Sequence, residues 1–208
     1  MKLTDKPVTT FLDELASNAP APGGGSVAAV SGALGAALVS MVCNLTLGKK
    51  GYEEVQGDIQ DLLNQSEALR KELTDLLEAD VAAYTAYSKT AKMPRDTEEQ
   101  KAERTAAMQM ALKNATMVPM RIAEAAVKAM DLCMPAAEKG NKWAVSDAGV
   151  AVLMAEAALR SAALNVLINL GSIKDQDFVA DKRRYLEELL AGKGIMRDQI
   201  YDYVVAKL

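Results

Sequence analysis

Residues Ala19–Lys50 read APAPGGGSVAAVSGALGAALVSMVCNLTLGKK, and this stretch decides the fold. Pro20 and Pro22 restrict their own backbone and that of the residue before each of them. The glycines at 23–25 remove that restriction, and Ser26 is a suitable N-cap for the helix that follows. The stretch therefore predicts a stiff arm and a side-chain-free loop at a helix N-terminus. Backbone amides there can hold an anionic or carbonyl-bearing ligand.

The predicted helix, from Val27 to about Leu47, has no charged residue. Small residues recur along it at three- and four-residue spacing, which lets another helix approach closely: Ala29, Gly32, Ala33, Ala36 and Ser40. A helix that is apolar all round is expected to be buried on nearly every side. A membrane span is an alternative on length. The small side chains, and the soluble character of the other predicted helices, favour a buried helix.

Two further interpretations of the glycine run are weighed. GGGSVA at 23–28 fits the dinucleotide pattern G-x-G-x-x-A, but no strand precedes it, which argues against such a site. A glycine loop with a purely structural role stays open.

At 208 residues the chain is long enough for one domain, or at most two small ones, and we expect a single domain over residues 1–208. Half of the residues are apolar and only 4% are aromatic, so the core is built from Ala, Leu, Val and Met. No alternating strand pattern is found, and the helical patterns described below predict an all-α bundle of long helices. The net charge of −4 gives no general attraction to nucleic acid. Two distant cysteines, Cys43 and Cys133, suggest a reduced, cytoplasmic protein, and we expect no signal peptide before the first helix.

The chain contains no histidine, which removes imidazole acid–base chemistry and histidine metal sites together. With only two separated cysteines, a zinc site is not expected. We therefore expect catalysis by carboxylates, Lys, Tyr, amides and positioned water, with no metal.

A long helix is predicted from Glu53 to about Thr90, and one stripe of it changes character. Residues at steps of three and four begin as leucine and end in polar groups: Leu69, Leu73, Leu76, Asp80, Tyr84 and Tyr87. A carboxylate on an apolar face is costly unless it is paired, so Asp80 is a candidate site residue, with Tyr84 beside it. The alternative is that Asp80 marks the exposed edge of the stripe.

The remaining boundaries are predicted from caps and breakers. Thr4 or Asp5 caps a short first helix, and Asp96 or Thr97 begins a helix to about Met134 that Pro119 kinks or splits. The later segments are a linker at Pro135–Asn141, a helix capped by Ser146 that ends near Leu170, and two short helices at Asp177–Leu190 and Ile195–Lys207.

The helix after Ser146 carries a second line of polar residues. Asp147, Asn165 and Asn169 share this line with apolar and small residues. Asp147 can be explained as a first-turn acid, whereas the two amides need partners and favour a role in ligand binding. The positive charge of Lys49 either complements the dipole at the C-terminus of its helix or contacts an acidic ligand, and both interpretations remain open.

The expected oligomeric state follows from the two nearly chargeless helices. Their apolar surfaces are hard to cover in one small bundle, so we expect a homodimer.

The motif PAPGGGSVAA at 20–29, followed by LGKKGY at 47–52, resembles the cyclodeaminase/cyclohydrolase family of folate enzymes. The resemblance covers nearly the whole chain. Its further matches are Asp80 with Tyr84 before Lys92-Met-Pro94, then Ser146-Asp147, then Asn165 with Asn169.

This resemblance implies an all-α homodimeric bundle that binds a tetrahydrofolate derivative, with or without a polyglutamate tail, beside the glycine run. No cofactor beyond the folate substrate is implied, and neither nucleic acid nor membrane is an expected partner. The implied catalytic residues are Asp80, Tyr84, Asp147 and Lys49, of which Lys49 would face the acidic tail. The implied substrate-binding residues are Pro22, Gly23, Gly24, Gly25, Ser26, Asn165 and Asn169.

The leading functional interpretation is hydrolysis of 5,10-methenyltetrahydrofolate to 10-formyltetrahydrofolate, because we expect the chain to be a stand-alone member of the family without a formiminotransferase domain. The alternative within the family is formiminotetrahydrofolate cyclodeaminase, which releases ammonia and forms the methenyl compound. A non-enzymatic helical binding or scaffold protein is the alternative outside it.

Overall fold

The structure, a computed structural model, describes residues 2–208, and all regular secondary structure in that range is helical. The α-helices are α1 (Val8–Leu15), α2 (Gly24–Asn44), α3 (Gln56–Ala91), α4 (Glu98–Lys139), α5 (Val145–Leu170), α6 (Gln176–Leu190) and α7 (Lys193–Val205). Short 3-10 turns lie at Leu3–Asp5, Glu53–Val55 and Lys142–Ala144. The expected all-α bundle of long helices is therefore confirmed.

The four long helices α2 to α5 form the bundle, in which α2 and α4 each lie between α3 and α5. Helix α2 runs antiparallel to both of its neighbours. Along α3, Gly25 lies near Asp80 and Ser40 near Ser66. Along α5, Gly24 lies near Asn165. One end of the bundle therefore gathers the start of α2, the second half of α3 and the end of α5.

Helices α2 and α5 approach so closely that small residues are required at the contact. A Cβ atom on Gly35 would lie 2.9 Å from the carbonyl oxygen of Ala151, and one on Gly32 would lie 3.3 Å from Cβ of Ala158. Such distances leave no room for a side chain unless a helix moves. The small-residue spacing of α2 thus does what the sequence predicted.

The outer faces of α2 and α5 stay partly uncovered. Their exposed apolar residues follow helical spacing and are Leu34 and Met41 on α2, Leu45 at its C-cap, and Val150, Leu164 and Ile168 on α5. We call these residues the apolar stripes. Both helices are long and apolar enough to cross a membrane, but 56% of the α2 window and 50% of the Lys142–Leu170 window are buried inside the protein. Core helices of soluble proteins have the same property.

The predicted start of α2 is wrong by three residues. The helix begins at Gly24 with Gly23 as its N-cap, so two of the three glycines belong to the first turn instead of a loop. Ser26 lies inside the helix and is buried, and it does not cap. The physical reason is that Asp80, on α3, supplies an acceptor at this N-terminus, so a local cap is unnecessary.

Two predicted breaks in the second half of the chain are also wrong. Helix α4 continues through Pro119 and Pro135 to Lys139, so the linker expected at Pro135–Asn141 is mostly helical. Each proline removes one backbone hydrogen bond, and a 42-residue helix packed on two neighbours tolerates that loss. Ser146 is not a cap, because α5 continues directly from the 3-10 turn at Lys142–Ala144.

Other boundaries agree with the sequence to within a few residues. Thr97 caps α4 through a capping box with Gln100. The first helix starts later than expected, at Val8, after the 3-10 turn at Leu3–Asp5.

Cys43 and Cys133 are free and buried, and burial raises the pKa of Cys43 to about 11 and that of Cys133 to about 12. Neither thiol is therefore a reactive nucleophile at neutral pH.

Candidate functional site

A pocket of about 200 Å³ opens at the end of the bundle where α2 begins. Four segments contribute to it. Its walls are Pro20, Ala21 and Gly23 to Gly25 at the start of α2, Asp80, Ala83, Tyr84 and Tyr87 on α3, Ala115 and Pro119 on α4, and Asn165 and Asn169 on α5. The pocket therefore joins both polar lines predicted from the sequence to the glycine run.

Asp80 is held at the N-terminus of α2. Its Oδ2 accepts a hydrogen bond of 2.9 Å from the hydroxyl of Ser26. A Cβ atom on Gly25 would lie 2.1 Å from Oδ1 of Asp80. A glycine at position 25 is thus a condition for the carboxylate to reach this place.

The environment of Asp80 shifts the pKa of its carboxyl group upward. Burial raises the pKa of Asp80, and the hydroxyl and backbone hydrogen bonds from Ser26 oppose that rise without cancelling it. Among the described residues that line the pocket, Asp80 is the only carboxylate, and none is Lys or Arg. A half-buried acid with a raised pKa in a cleft is typical of a catalytic acid or base.

The two asparagines on α5 are oriented by carbonyl groups. Nδ2 of Asn165 donates to the carbonyl oxygen of Ser161 at 2.8 Å. Nδ2 of Asn169 donates across to α4, to the carbonyl oxygen of Ala115 at 3.2 Å. Because a carbonyl only accepts hydrogen bonds, the nitrogen of each amide must face it, which decides how each amide is turned.

The pocket also contains tyrosines from the predicted stripe. Tyr84 is exposed at the mouth and Tyr87 is half-buried one turn further along α3. A phenol donates and accepts hydrogen bonds, and its ring offers a flat apolar surface. The stripe interpretation is therefore confirmed for position, since the leucines before Asp80 are buried and the polar residues after it line the pocket.

Lys49 and Asp147 lie at the opposite end of the bundle. Helix α2 has 21 residues, about 30 Å at 1.5 Å per residue, and Lys49 follows its far end. Asp147 stands in the first turn of α5, about 27 Å along that helix from Asn165 by the same rise. The backbone N–H of Asn141, just before α5, donates to Thr46 Oγ1 at 2.8 Å, which joins these two far ends. Neither residue enters the pocket of its own chain.

Two other predicted binding residues are buried behind the pocket wall instead of lining it. Pro22 precedes the N-cap of α2, and Ser26 acts on Asp80. The structure adds Pro20, Tyr87 and Pro119 to the site. The position of Tyr87 on the predicted stripe of α3 was a sequence signal for its place in the pocket. Pro119 stood out as a helix breaker, with no sequence signal of a role in the pocket.

The geometry thus defines a class: a helical bundle with a small, polar, anion-bearing pocket built on a helix N-terminus. Comparison with known proteins makes this class specific. The family model described as formiminotransferase-cyclodeaminase matches residues 7–188. The chain is 50% identical to the methenyltetrahydrofolate cyclohydrolase of Methylorubrum extorquens over 97% of both chains.

A second relative is the formimidoyltransferase-cyclodeaminase of Sus scrofa, which is 39% identical over 90% of this chain. The chain spans only 35% of that protein's length. The crystal structure of formiminotetrahydrofolate cyclodeaminase from Thermotoga maritima superimposes with a TM-score of 0.81 at 32% identity, over 100% of this chain and 98% of that one. The chain therefore belongs to the formiminotransferase-cyclodeaminase family and is an enzyme, which sets the scaffold interpretation aside.

The raised pKa of Asp80 predicts how stability changes with pH. The folded protein binds a proton at Asp80 more tightly than the unfolded chain, whose carboxyl has a pKa near 3.9. The contribution of Asp80 to stability is thus complete below that pKa and is lost as the pH rises through the raised value. Asp80→Asn should melt a few degrees above the wild type at pH 7, and the difference should shrink towards pH 3.5.

Thermal melts followed by circular dichroism from pH 3.5 to 8 measure this difference. The matched control is Asp75→Asn on the same helix, where an ion pair with Lys71 lowers the pKa of an exposed carboxylate. Its effect should be small and of opposite sign. A constant loss of melting temperature in Asp80→Asn at every pH would contradict the prediction.

Proposed function

We propose that this chain hydrolyses 5,10-methenyltetrahydrofolate to 10-formyltetrahydrofolate. The observation that carries the proposal is its 50% identity, over 97% of both chains, to a methenyltetrahydrofolate cyclohydrolase. The pocket supports the proposal independently, because it offers the groups that this reaction needs and is built without histidine.

The electrostatics of the pocket suit a cationic substrate. The methenyl bridge of the substrate carries a positive charge shared by N5 and N10. Asp80 lines the pocket with no Lys or Arg among the described lining residues, so its carboxylate can stabilise this cation. The bridge carbon is already electrophilic, and hydrolysis therefore needs a placed water and a proton acceptor in addition to this charge.

We assign the proton acceptor to Asp80. Water attacks the bridge carbon while Asp80 takes one of its protons, which gives a neutral adduct with a hydroxyl on that carbon. The bond from this carbon to N5 then breaks as the hydroxyl loses its proton and the carbonyl forms. N5 takes a proton from Asp80, so that one proton is released to solvent overall. A carboxyl with a raised pKa suits both transfers.

The size of the pocket limits what it can enclose. A volume of about 200 Å³ is below the roughly 300–1,000 Å³ of sites that enclose a whole drug-sized ligand. We propose that the reduced pterin ring enters the pocket and that the aminobenzoyl-glutamate tail lies outside it. Tyr84 at the mouth would then fix a water or an edge of the ring, and Gly23 to Gly25 would form a wall of backbone.

The cyclodeaminase reaction is the second candidate, favoured by the likeness to the Thermotoga maritima enzyme of that name. In this reaction N10 attacks the formimino carbon on N5, and ammonia leaves with help from an acid. Protonated Asp80 could be that acid, and the product is the same methenyl cation. The pocket chemistry therefore serves both reactions.

Separate incubation with the two folates tests the proposal. With 5,10-methenyltetrahydrofolate, we expect the methenyl absorbance to fall faster than in buffer and 10-formyltetrahydrofolate to form. With formiminotetrahydrofolate, we expect no release of ammonia. Ammonia together with rising methenyl absorbance would instead support the cyclodeaminase, and no turnover of either folate would contradict both.

The role of Asp80 predicts a specific loss. Asp80→Asn keeps the shape of the side chain but takes no proton from water, so turnover of the preferred folate should fall by at least about 10²-fold. Folate binding, measured by equilibrium titration, should persist. Asp75→Asn is the control and should keep wild-type turnover, since Asp75 lies on the exposed face of α3. Unchanged turnover in Asp80→Asn would remove Asp80 from the mechanism.

We further propose that the protein is a homodimer paired through the apolar stripes. Leu34 is 53% exposed, Leu164 69% and Ile168 73%, and these residues share the outer faces of two helices that pack on each other. An apolar surface of this extent is typical of an interface. A two-fold axis makes such a surface complementary to itself, which a second copy of the chain satisfies.

The direction of the two-fold axis matters for Lys49 and Asp147. An axis perpendicular to the stripes would exchange their ends, so that the partner subunit's Lys49 and the partner subunit's Asp147 would approach the glycine end of this chain. This arrangement would reconcile their implied roles with their distance from the pocket of their own chain. An axis parallel to the stripes would leave both residues far from either pocket.

Introducing charge into a stripe tests the dimer. Leu34→Glu should give a monomer by light scattering, whereas the wild type should show twice the 22.2 kDa of one chain. The control is Val205→Glu on α7, an equally exposed apolar residue away from the stripes, which should stay dimeric. A monomeric wild type would contradict the proposal. A requirement for detergent during purification would point to a membrane instead.

Subunit mixing checks the axis. Asp80→Asn and Asp147→Asn homodimers should each be impaired. If the ends are exchanged, a mixed dimer has one intact site and recovers activity. No recovery would mean that Asp147 does not act across the interface.

A further inference from the structure

The carbonyl oxygen of Ala115 lines the pocket region without its usual helical donor. In an α-helix this oxygen would accept from the backbone N–H four residues later. That residue is Pro119, which has no N–H. The vacant acceptor is used instead by Nδ2 of Asn169, which reaches across from α5 at 3.2 Å.

The other asparagine is held differently. Asn165 donates to the carbonyl of Ser161 on its own helix, and that oxygen is also the helical acceptor for the backbone N–H of Asn165. Only the Asn169 contact depends on a gap in a neighbouring helix. Pro119 is buried, lines the same pocket and removes one hydrogen bond from the backbone ladder of α4 at the point where Asn169 donates.

We propose that Pro119 is a positioning residue for substrate recognition. Because Pro119 has no N–H, the Ala115 carbonyl is free to accept from the amide NH2 group of Asn169. The amide oxygen of Asn169 is then left to accept a hydrogen bond from the 2-amino group of the pterin. The inference rests on the proposed function for the identity of the ligand, while the coupling of Pro119 to Asn169 stands on the geometry alone.

The orientation of Asn169 requires that the ligand group facing it carry an N–H donor. An amide whose nitrogen is occupied by a carbonyl presents mainly an acceptor. A ligand that pairs with it must carry an N–H group there, and a pocket that accepts such a hydrogen bond discriminates against a ligand lacking the donor. A single hydrogen bond of this kind changes affinity by roughly three- to tenfold.

Pro119→Ala is the direct test because it restores the backbone donor. The N–H of residue 119 should take the Ala115 carbonyl and release Asn169. We expect KM for 5,10-methenyltetrahydrofolate to rise about three- to tenfold with kcat within twofold. The 2-desamino analogue lacks the donor, so its KM should be the same for wild type and variant. In an Asn169→Ala background, Pro119→Ala should have no further effect.

Pro135→Ala is the matched control. It removes the other proline inside α4, far from the pocket. Pro135→Ala should melt at or above the wild-type temperature, because it regains a helical hydrogen bond. Only Pro119→Ala should change KM.

A readout without turnover separates this inference from the proposed function. The side-chain NH2 signals of Asn169, assigned by their loss in Asn169→Ala, should shift in the 15N–1H spectrum of Pro119→Ala and stay in place in Pro135→Ala. Unchanged signals in Pro119→Ala would overturn the coupling. A KM increase that persists without Asn169 would overturn the recognition role. If the wild type hydrolyses no methenyltetrahydrofolate, the proposed function fails, and the NMR signals still decide the coupling.

Discussion

The carboxylate of Asp80 occupies the space that a side chain on residue 25 would fill. This contact brings α3 against the first turn of α2, where the hydroxyl of Ser26 donates a hydrogen bond to the carboxylate. A helix N-terminus has unsatisfied N–H groups, and a carboxylate from a neighbouring helix satisfies them as well as a local cap does. The same contact buries the acid enough to raise its pKa. One interaction therefore caps a helix, joins two helices and prepares an acid–base group.

The pocket depends on small residues elsewhere in the interface. Gly32 and Gly35 let α2 lie close to α5, and a Cβ atom on Gly24 would then lie 3.4 Å from Nδ2 of Asn165. A core built from alanine and glycine has little side-chain volume, so helix backbones define the surfaces. The faces of α2 and α5 that point away from the core carry the apolar stripes, which the chain does not cover by itself.

A proline inside a helix usually kinks or breaks it, yet α4 contains two prolines and stays continuous. The lost backbone bond at Pro119 has a counterpart, since Asn169 uses the free carbonyl. A carbonyl in an intact helical ladder already accepts one backbone hydrogen bond, whereas the Ala115 carbonyl lacks that donor and is wholly available to a side chain. An interruption of the ladder is thus one way to give a buried amide from another helix a partner.

Sequence periodicity alone determined the helical class, the stripe that ends in Asp80 and Tyr84, and the polar line that contains Asn165 and Asn169. These are properties of single helices, for which the spacing of residues decides the face. The tertiary structure decided which ends meet: the antiparallel order of the bundle brings Asp80 and Asn169 together and separates both from Lys49 and Asp147. The tertiary structure also decided that Ser26 donates to Asp80 instead of capping α2, and that α4 continues as one helix through Pro119. A sequence pattern records propensities within one segment, whereas a capping acid or a hydrogen-bond partner from a distant segment appears only when helices pack.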